Sequence, residues 1–154
     1  MMKATGIVRR IDDLGRIVIP KEIRRTLHIR ESDPLEIFTD REGQVILKKY
    51  SPIGEMTTFA KQYAESLAQV SGHATLIADR DQFIAVSGGC KQLLNKSVSR
   101  QLEEKVNNRE TVIAAKGDRN YVNIAEDIAV DYAWQLITPI ICEGDIIGSV
   151  ILLS

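Results

Sequence analysis

Gly6-Ile7-Val8-Arg9-Arg10-Ile11-Asp12-Asp13-Leu14-Gly15-Arg16-Ile17-Val18-Ile19-Pro20-Lys21-Glu22-Ile23-Arg24-Arg25-Thr26-Leu27 is the stretch on which the fold turns. Two β-branched runs, residues 5–11 and 16–19, predict short strands. Asp12-Asp13-Leu14-Gly15 between them is a turn signal. Pro20 stops the second run because it has no N–H to give a ladder. Its fixed φ suits the first position of a helix. Residues 21–28 then predict a short helix, with Ile23 and Leu27 at i, i+4 as its buried stripe.

Downstream, residues 34–39 and 44–50 predict two further strands. Asp40-Arg41-Glu42-Gly43 joins them as a hairpin. Ser51-Pro52-Ile53-Gly54 reads as a linker. The chain therefore divides into a first domain over 1–50, a linker over 51–54 and a second domain over 55–154.

The second domain opens with a helix predicted over 55–70. Met56, Phe59, Ala60, Tyr63, Ala64, Leu67 and Val70 fall at helical spacing and form one apolar stripe. Strands follow at 74–78 and 82–86 around Asp79-Arg80-Asp81, then a helix at 97–107 and a strand at 111–115. Residues 133–141 and 145–153 are two long apolar strands around Glu143-Gly144. The pattern is α+β with an antiparallel sheet. Residues 116–132 carry no clear period.

The bulk numbers agree with two modules. The 154 residues are 44% hydrophobic and 27% charged, with a net charge of −1, as in an ordinary globular protein. Residues 1–50 hold eleven Lys and Arg against eight Asp and Glu; the remainder holds nine against thirteen. A basic N-terminal module beside an acidic one implies a polyanionic partner for the first. No run of 18 apolar residues marks a membrane span. Met1-Met2-Lys3-Ala4-Thr5 is no secretory signal, so the expected location is cytoplasmic and nucleoid-associated. Cys90 and Cys142 match no metal spacing and read as reduced thiols. Neither a metal nor a cofactor is expected.

Fifty residues with four short strands and a two-turn helix bury little core. Chains below about 40–60 residues usually need a disulfide, a metal or a partner subunit. This segment has no cysteine, yet Ile7, Val8, Ile17, Val18, Ile19, Leu35, Ile37 and Leu47 all need cover. An intertwined dimer sharing one core answers that need.

The quoted stretch closely resembles the AbrB-type swapped-hairpin domain of bacterial transition-state regulators. Leu35-Glu36-Ile37 and Val45-Ile46-Leu47-Lys48-Lys49-Tyr50 continue the likeness, which covers about residues 3–50. The two-part layout resembles the stage V sporulation protein T family. The resemblance implies an N-terminal all-β swapped-hairpin barrel with a short helix, shared by two chains. It implies a C-terminal α+β domain of GAF-like fold, here expected to be truncated and to lack its last helix. Ser32-Asp33-Pro34 departs from the Gly-Asp of many relatives. A left-handed serine there would cost on the order of 1 kcal/mol.

Arg and Lys neutralise phosphates, and guanidinium also reads guanine edges in the major groove. Arg9 and Arg10 leave opposite faces of a strand, so at most one faces the duplex. By resemblance the DNA-binding set is Arg9, Arg16, Arg24 and Arg25, with Lys3, Arg10 and Lys21 in a second tier. Lys21 lies at i, i+3 and i, i+4 from Arg24 and Arg25, a like-charge arrangement that disfavours a helix unless an anion covers it. Asp12 and Asp13 are expected to cap the turn and orient the arginines.

GAF-like domains often hold a small molecule. Trp134, Tyr121, Tyr132 and Cys90 are candidate pocket residues, and Ser87-Gly88-Gly89 is a candidate cradle. The expected function is a bacterial transcription regulator, activator or repressor of sporulation genes. It would bind double-stranded DNA as an obligate homodimer or a tetramer, and the second domain would assist oligomerisation or sense an unidentified small-molecule effector. An antitoxin-type autorepressor is the alternative, since the same barrel occurs in toxin–antitoxin pairs. Antitoxins append a disordered tail, whereas 55–154 has folded periodicity. His28 and His73 are the only histidines, and no catalytic spacing accompanies them, so no enzyme is expected.

Overall fold

The computed structural model describes residues 2–154. It forms two compact units, one ending at Tyr50 and the other running Ser51–Ser154.

In the first unit, α1 (Lys21–Thr26) precedes the antiparallel hairpin β1 (Leu35–Thr39) and β2 (Val45–Lys49). The Asp40 carboxylate closes the hairpin turn by accepting from the Glu42 and Gln44 amides, both at 2.9 Å. Residues 5–11 and 16–19 form no strands, contrary to the sequence expectation. Their β propensity is real, but this chain offers them no partner edge for a ladder. What holds them is a turn: the Asp12 amide donates to the Arg16 carbonyl and the Gly15 amide to the Asp12 carbonyl. Gly15 takes φ +78°, the left-handed value such a turn requires.

Helix α1 is also shorter than expected. Pro20 caps it rather than opening it, and His28 at φ 53° ends it. No α1 residue is buried; Leu27 is 54% exposed. The expected stripe of Ile23 and Leu27 therefore lines a groove instead of a core. Ser32 has φ 68°, so this chain does place a serine in the strained left-handed region.

The second unit is built around β7 (Asp145–Leu153), the middle strand of a five-stranded antiparallel sheet. The others are β3 (Ala74–Ala78), β4 (Phe83–Ser87), β5 (Val112–Ala115) and β6 (Trp134–Cys142), in the order β4-β3-β7-β6-β5. A central strand covered on both faces must be apolar throughout. On one face Leu76, Phe83, Leu93, Leu102, Ile137 and Ile151 form the larger core, closed by α3 (Arg100–Asn107) and the loop over 116–132. Ser99 caps α3, its hydroxyl accepting from the Leu102 amide at 3.0 Å. The buried Gln135 amide clamps the loop, bonding both the N–H and the C=O of Val122.

On the other face α2 (Thr57–Ser71) packs over β3 and β4 through Ala60 and Ala64, with Ile53, Ile77 and Ile84. A 3-10 turn over Gly54–Met56 leads into α2, so the α-helix starts two residues later than the sequence predicted. The expected stripe splits by size: the alanines are buried, while Met56, Phe59, Tyr63 and Val70 stay exposed. Alanine alone lets the helix approach the sheet closely. Gly148 answers the same crowding on β7. A Cβ there would stand 2.1 Å from the Ala78 carbonyl oxygen and 2.8 Å from Ile53 Cδ1.

Candidate nucleic-acid interface

The basic residues of the first unit sit on the least covered part of the molecule. Lys3, Arg9, Arg10, Arg16, Lys21, Arg24 and Arg25 are all exposed. They differ in how they are held. Asp12 organises the turn that carries Arg16. Its Oδ1 accepts from the Leu14 amide at 2.9 Å and the Arg16 amide at 2.8 Å. Its Oδ2 accepts from Arg16 Nε at 2.8 Å. The Arg16 backbone and side-chain bonds hold the Asp12 carboxyl below the usual carboxylate range. Asp12 therefore caps the turn and orients an arginine; Asp13 forms neither bond.

Arg24 is anchored similarly, its Nε donating to the Ile19 carbonyl at 3.1 Å. Among the described residues, the side chains of Arg9 and Arg25 have no hydrogen bond or ion pair, Glu22 included. Helix α1 carries Lys21, Arg24 and Arg25 in six residues, and the basic residues of its last turn suit the helix dipole.

Beside these cations runs an open apolar groove of about 610 Å³, lined by Ile7, Ile17, Val18, Ile23, Leu27 and Leu47 among others, with Arg9 at its margin. Lys48 and Lys49 also border it. The sequence placed them in the strand over 44–50 and in the family likeness but not in the DNA-binding set, and no local signal tied them to the groove. Lys49 Nζ donates to the His28 carbonyl at 2.8 Å, and Lys48 lies 5.1 Å over the Phe38 ring.

Three of the four candidate pocket residues of the second unit meet in the structure. Cys90, Tyr132 and Tyr121 are brought together, but they satisfy one another. The Cys90 thiol donates to the Tyr132 hydroxyl at 3.0 Å, and the Tyr121 hydroxyl donates to the Tyr132 carbonyl at 2.8 Å. Trp134 begins β6 two residues after Tyr132 and is 52% exposed. Gly88 and Gly89 serve close packing: a Cβ on Gly88 would meet the His73 carbonyl at 3.0 Å, and one on Gly89 the Ala74 Cβ at 3.3 Å. A crevice beside α3 holds only about 10 Å³. Among the described residues no three potential metal ligands cluster, and no helix is long and apolar enough to cross a membrane.

Comparison with known proteins gives two family matches. Residues 55–154 match the family described as stage V sporulation protein T C-terminal, transcription factor. Residues 8–55 match the antidote-toxin recognition family MazE, a bacterial antitoxin. Stage V sporulation protein T of Bacillus subtilis strain 168 is 56% identical over 154 residues, 99% of this chain and 85% of the relative. The transition state regulatory protein AbrB of the same organism is 43% identical over 108 residues, 70% of this chain and 93% of the relative. A solution structure of the N-domain of the transcription factor AbrB is 63% identical over 34% of this chain and 98% of its own, with a TM-score of 0.31.

Proposed function

This chain belongs to the stage V sporulation protein T transcription-factor family, and from that premise we propose that it grips double-stranded DNA as an obligate homodimer, with a barrel woven from the first fifty residues of two chains. It is a DNA-binding transcription regulator of the sporulation and transition-state class. The observation that carries the dimer is the open groove together with its unpaired arm: Val8, Ile11, Leu14 and Val18 are at least two-thirds exposed. A second copy of residues 5–19 supplies both apolar cover and the ladder partners this arm lacks, which is the swapped-hairpin arrangement.

The duplex then meets Arg9, Arg16, Arg24 and Arg25 from each chain, with Lys3, Arg10 and Lys21 adding long-range attraction. Such a protein works on the nucleoid, in the cytoplasm. The second unit, which we read as GAF-like, contributes assembly: its exposed Phe59, Tyr63 and Val70 stripe suits the same helix of another chain, raising the dimer to a tetramer. An effector pocket has less support, because Cys90, Tyr121 and Tyr132 are occupied with one another. Nor does the antitoxin alternative account for residues 51–154, which form a folded unit with a buried core on each sheet face.

The test is a binding titration of the full chain against salt. Each phosphate neutralised contributes a slope of about −0.9 in log affinity against log salt, so eight arginines should give a slope of several units. A flat response defeats the proposal.

A further inference from the structure

Resting on that DNA-contacting set, we infer that its four arginines have two different roles. Arg16 and Arg24, held through Nε, read bases, while Arg9 and Arg25, unheld, bind phosphate. The division follows from how a guanidinium donates. Base reading by arginine is bidentate, two parallel N–H groups meeting O6 and N7 of guanine. It needs the plane of the group fixed in advance, whereas a phosphate accepts from any direction.

Arg16 has Nε fixed by Asp12 Oδ2 at 2.8 Å, and its two Nη groups donate to nothing among the described residues. Its side chain is nevertheless 71% exposed, so the free pair of Nη groups points a fixed fork at solvent. Arg24 repeats the arrangement, with Ile19 O in place of the carboxylate. Holding the fork beforehand reduces the rotamer entropy lost on binding.

Asp12 is then a positioning residue, and its chemistry gives an unusual sign. A carboxylate near DNA repels phosphate, so its removal should by charge alone strengthen binding. If Asp12 holds Arg16 for base reading, removal instead weakens binding to the preferred sequence. Asp12→Asn keeps a carbonyl acceptor for the Leu14 and Arg16 amides and deletes the charge partner of Arg16.

The experiment compares the full chain on two duplexes of equal length, one recovered by selection from a random pool against the wild-type protein and one of random sequence. The readout is the ratio of the two affinities. Arg16→Lys and Arg24→Lys, which keep the charge, should each lower the ratio about tenfold, the size of one good bidentate base contact. Arg9→Lys and Arg25→Lys should lower both affinities by a common factor. Asp12→Asn should lower the ratio in the wild-type background and add nothing in the Arg16→Lys background. An Asp12→Asn protein that binds both duplexes more tightly overturns the inference, as does a common factor at all four arginines. If Arg16→Ala and Arg24→Ala bind both duplexes as the wild type does, the DNA-contact reading has failed, not merely the division within it.

Discussion

The two units handle apolar residues in opposite ways. In Ser51–Ser154, Leu76, Phe83, Leu93, Ile137 and Ile151 are sealed from solvent. In residues 2–50 Pro20 alone is buried, although that segment carries comparable β-branched content. The first unit is not poorer in β-branched side chains; its chain simply lacks the surface that would cover them. On the proposed dimer the first sequence describes half of an interface, while the second describes a core of its own. Since domains near fifty residues are marginal even when their core is complete, the contrast makes sharp predictions.

The largest effect should come from Val18→Asp. Val18 lines the open groove and is 69% exposed in one chain, so the single chain tolerates a charge there. A dimer that buries the site does not, because an unpaired buried charge costs several kcal/mol. Analytical ultracentrifugation should find the first-unit pairing lost, leaving no assembly larger than the pair joined through α2, with DNA binding lost alongside it, while the melting of the second unit is retained. An assembly of unchanged size would remove the contrast between the units.

Gly148→Ala is the counterpart in the second unit. The added Cβ would meet backbone at Ala78, and overpacking of this kind costs about 1–3 kcal/mol. Calorimetry should show a lower Tm for the second unit, and that shift should not depend on protein concentration.

A smaller effect is expected from Tyr63→Ser on the exposed side of α2. Surface substitutions usually change stability by no more than about 0.5 kcal/mol, so unfolding should barely move while any tetramer reverts to dimer in light scattering. The smallest is spectroscopic. The hydrogen bond with Cys90 and partial burial push the Tyr132 pKa up to about 12. A raised phenol pKa means a contribution to stability that is complete below about pH 10, the ordinary tyrosine value, and lost as pH rises through about 12. Absorbance titration should show one of the four tyrosines ionising late, and Tyr132→Phe should remove that step.

Much of this was legible in the residues. Asp40-Arg41-Glu42-Gly43 and Glu143-Gly144 marked their hairpins because turn chemistry is local, and the long apolar runs over 133–141 and 145–153 marked β6 and β7. Asp12 announced its capping role for the same reason. Other features were hidden because they depend on what lies opposite. Strand propensity at 5–11 and 16–19 is a property of the residues, but a ladder is a property of two strands. The helical period of 56–70 marked one stripe, yet only the closeness of the sheet decides that Ala60 and Ala64 go in while Phe59 and Tyr63 stay out. Tyr121, Tyr132 and Cys90 carried no signal of the hydrogen bonds that join them, because those partners lie far apart in the chain.

The open groove of the first unit also bears on how two chains meet. In the dimer we propose, a barrel completed from outside would make folding a second-order process, faster when newly made chains emerge side by side on one message. Arms so interleaved would separate only by unfolding, which would slow subunit exchange. Which sibling chain a subunit marries would then be settled at birth, and a cell making several such regulators could keep their populations unmixed by timing of synthesis alone.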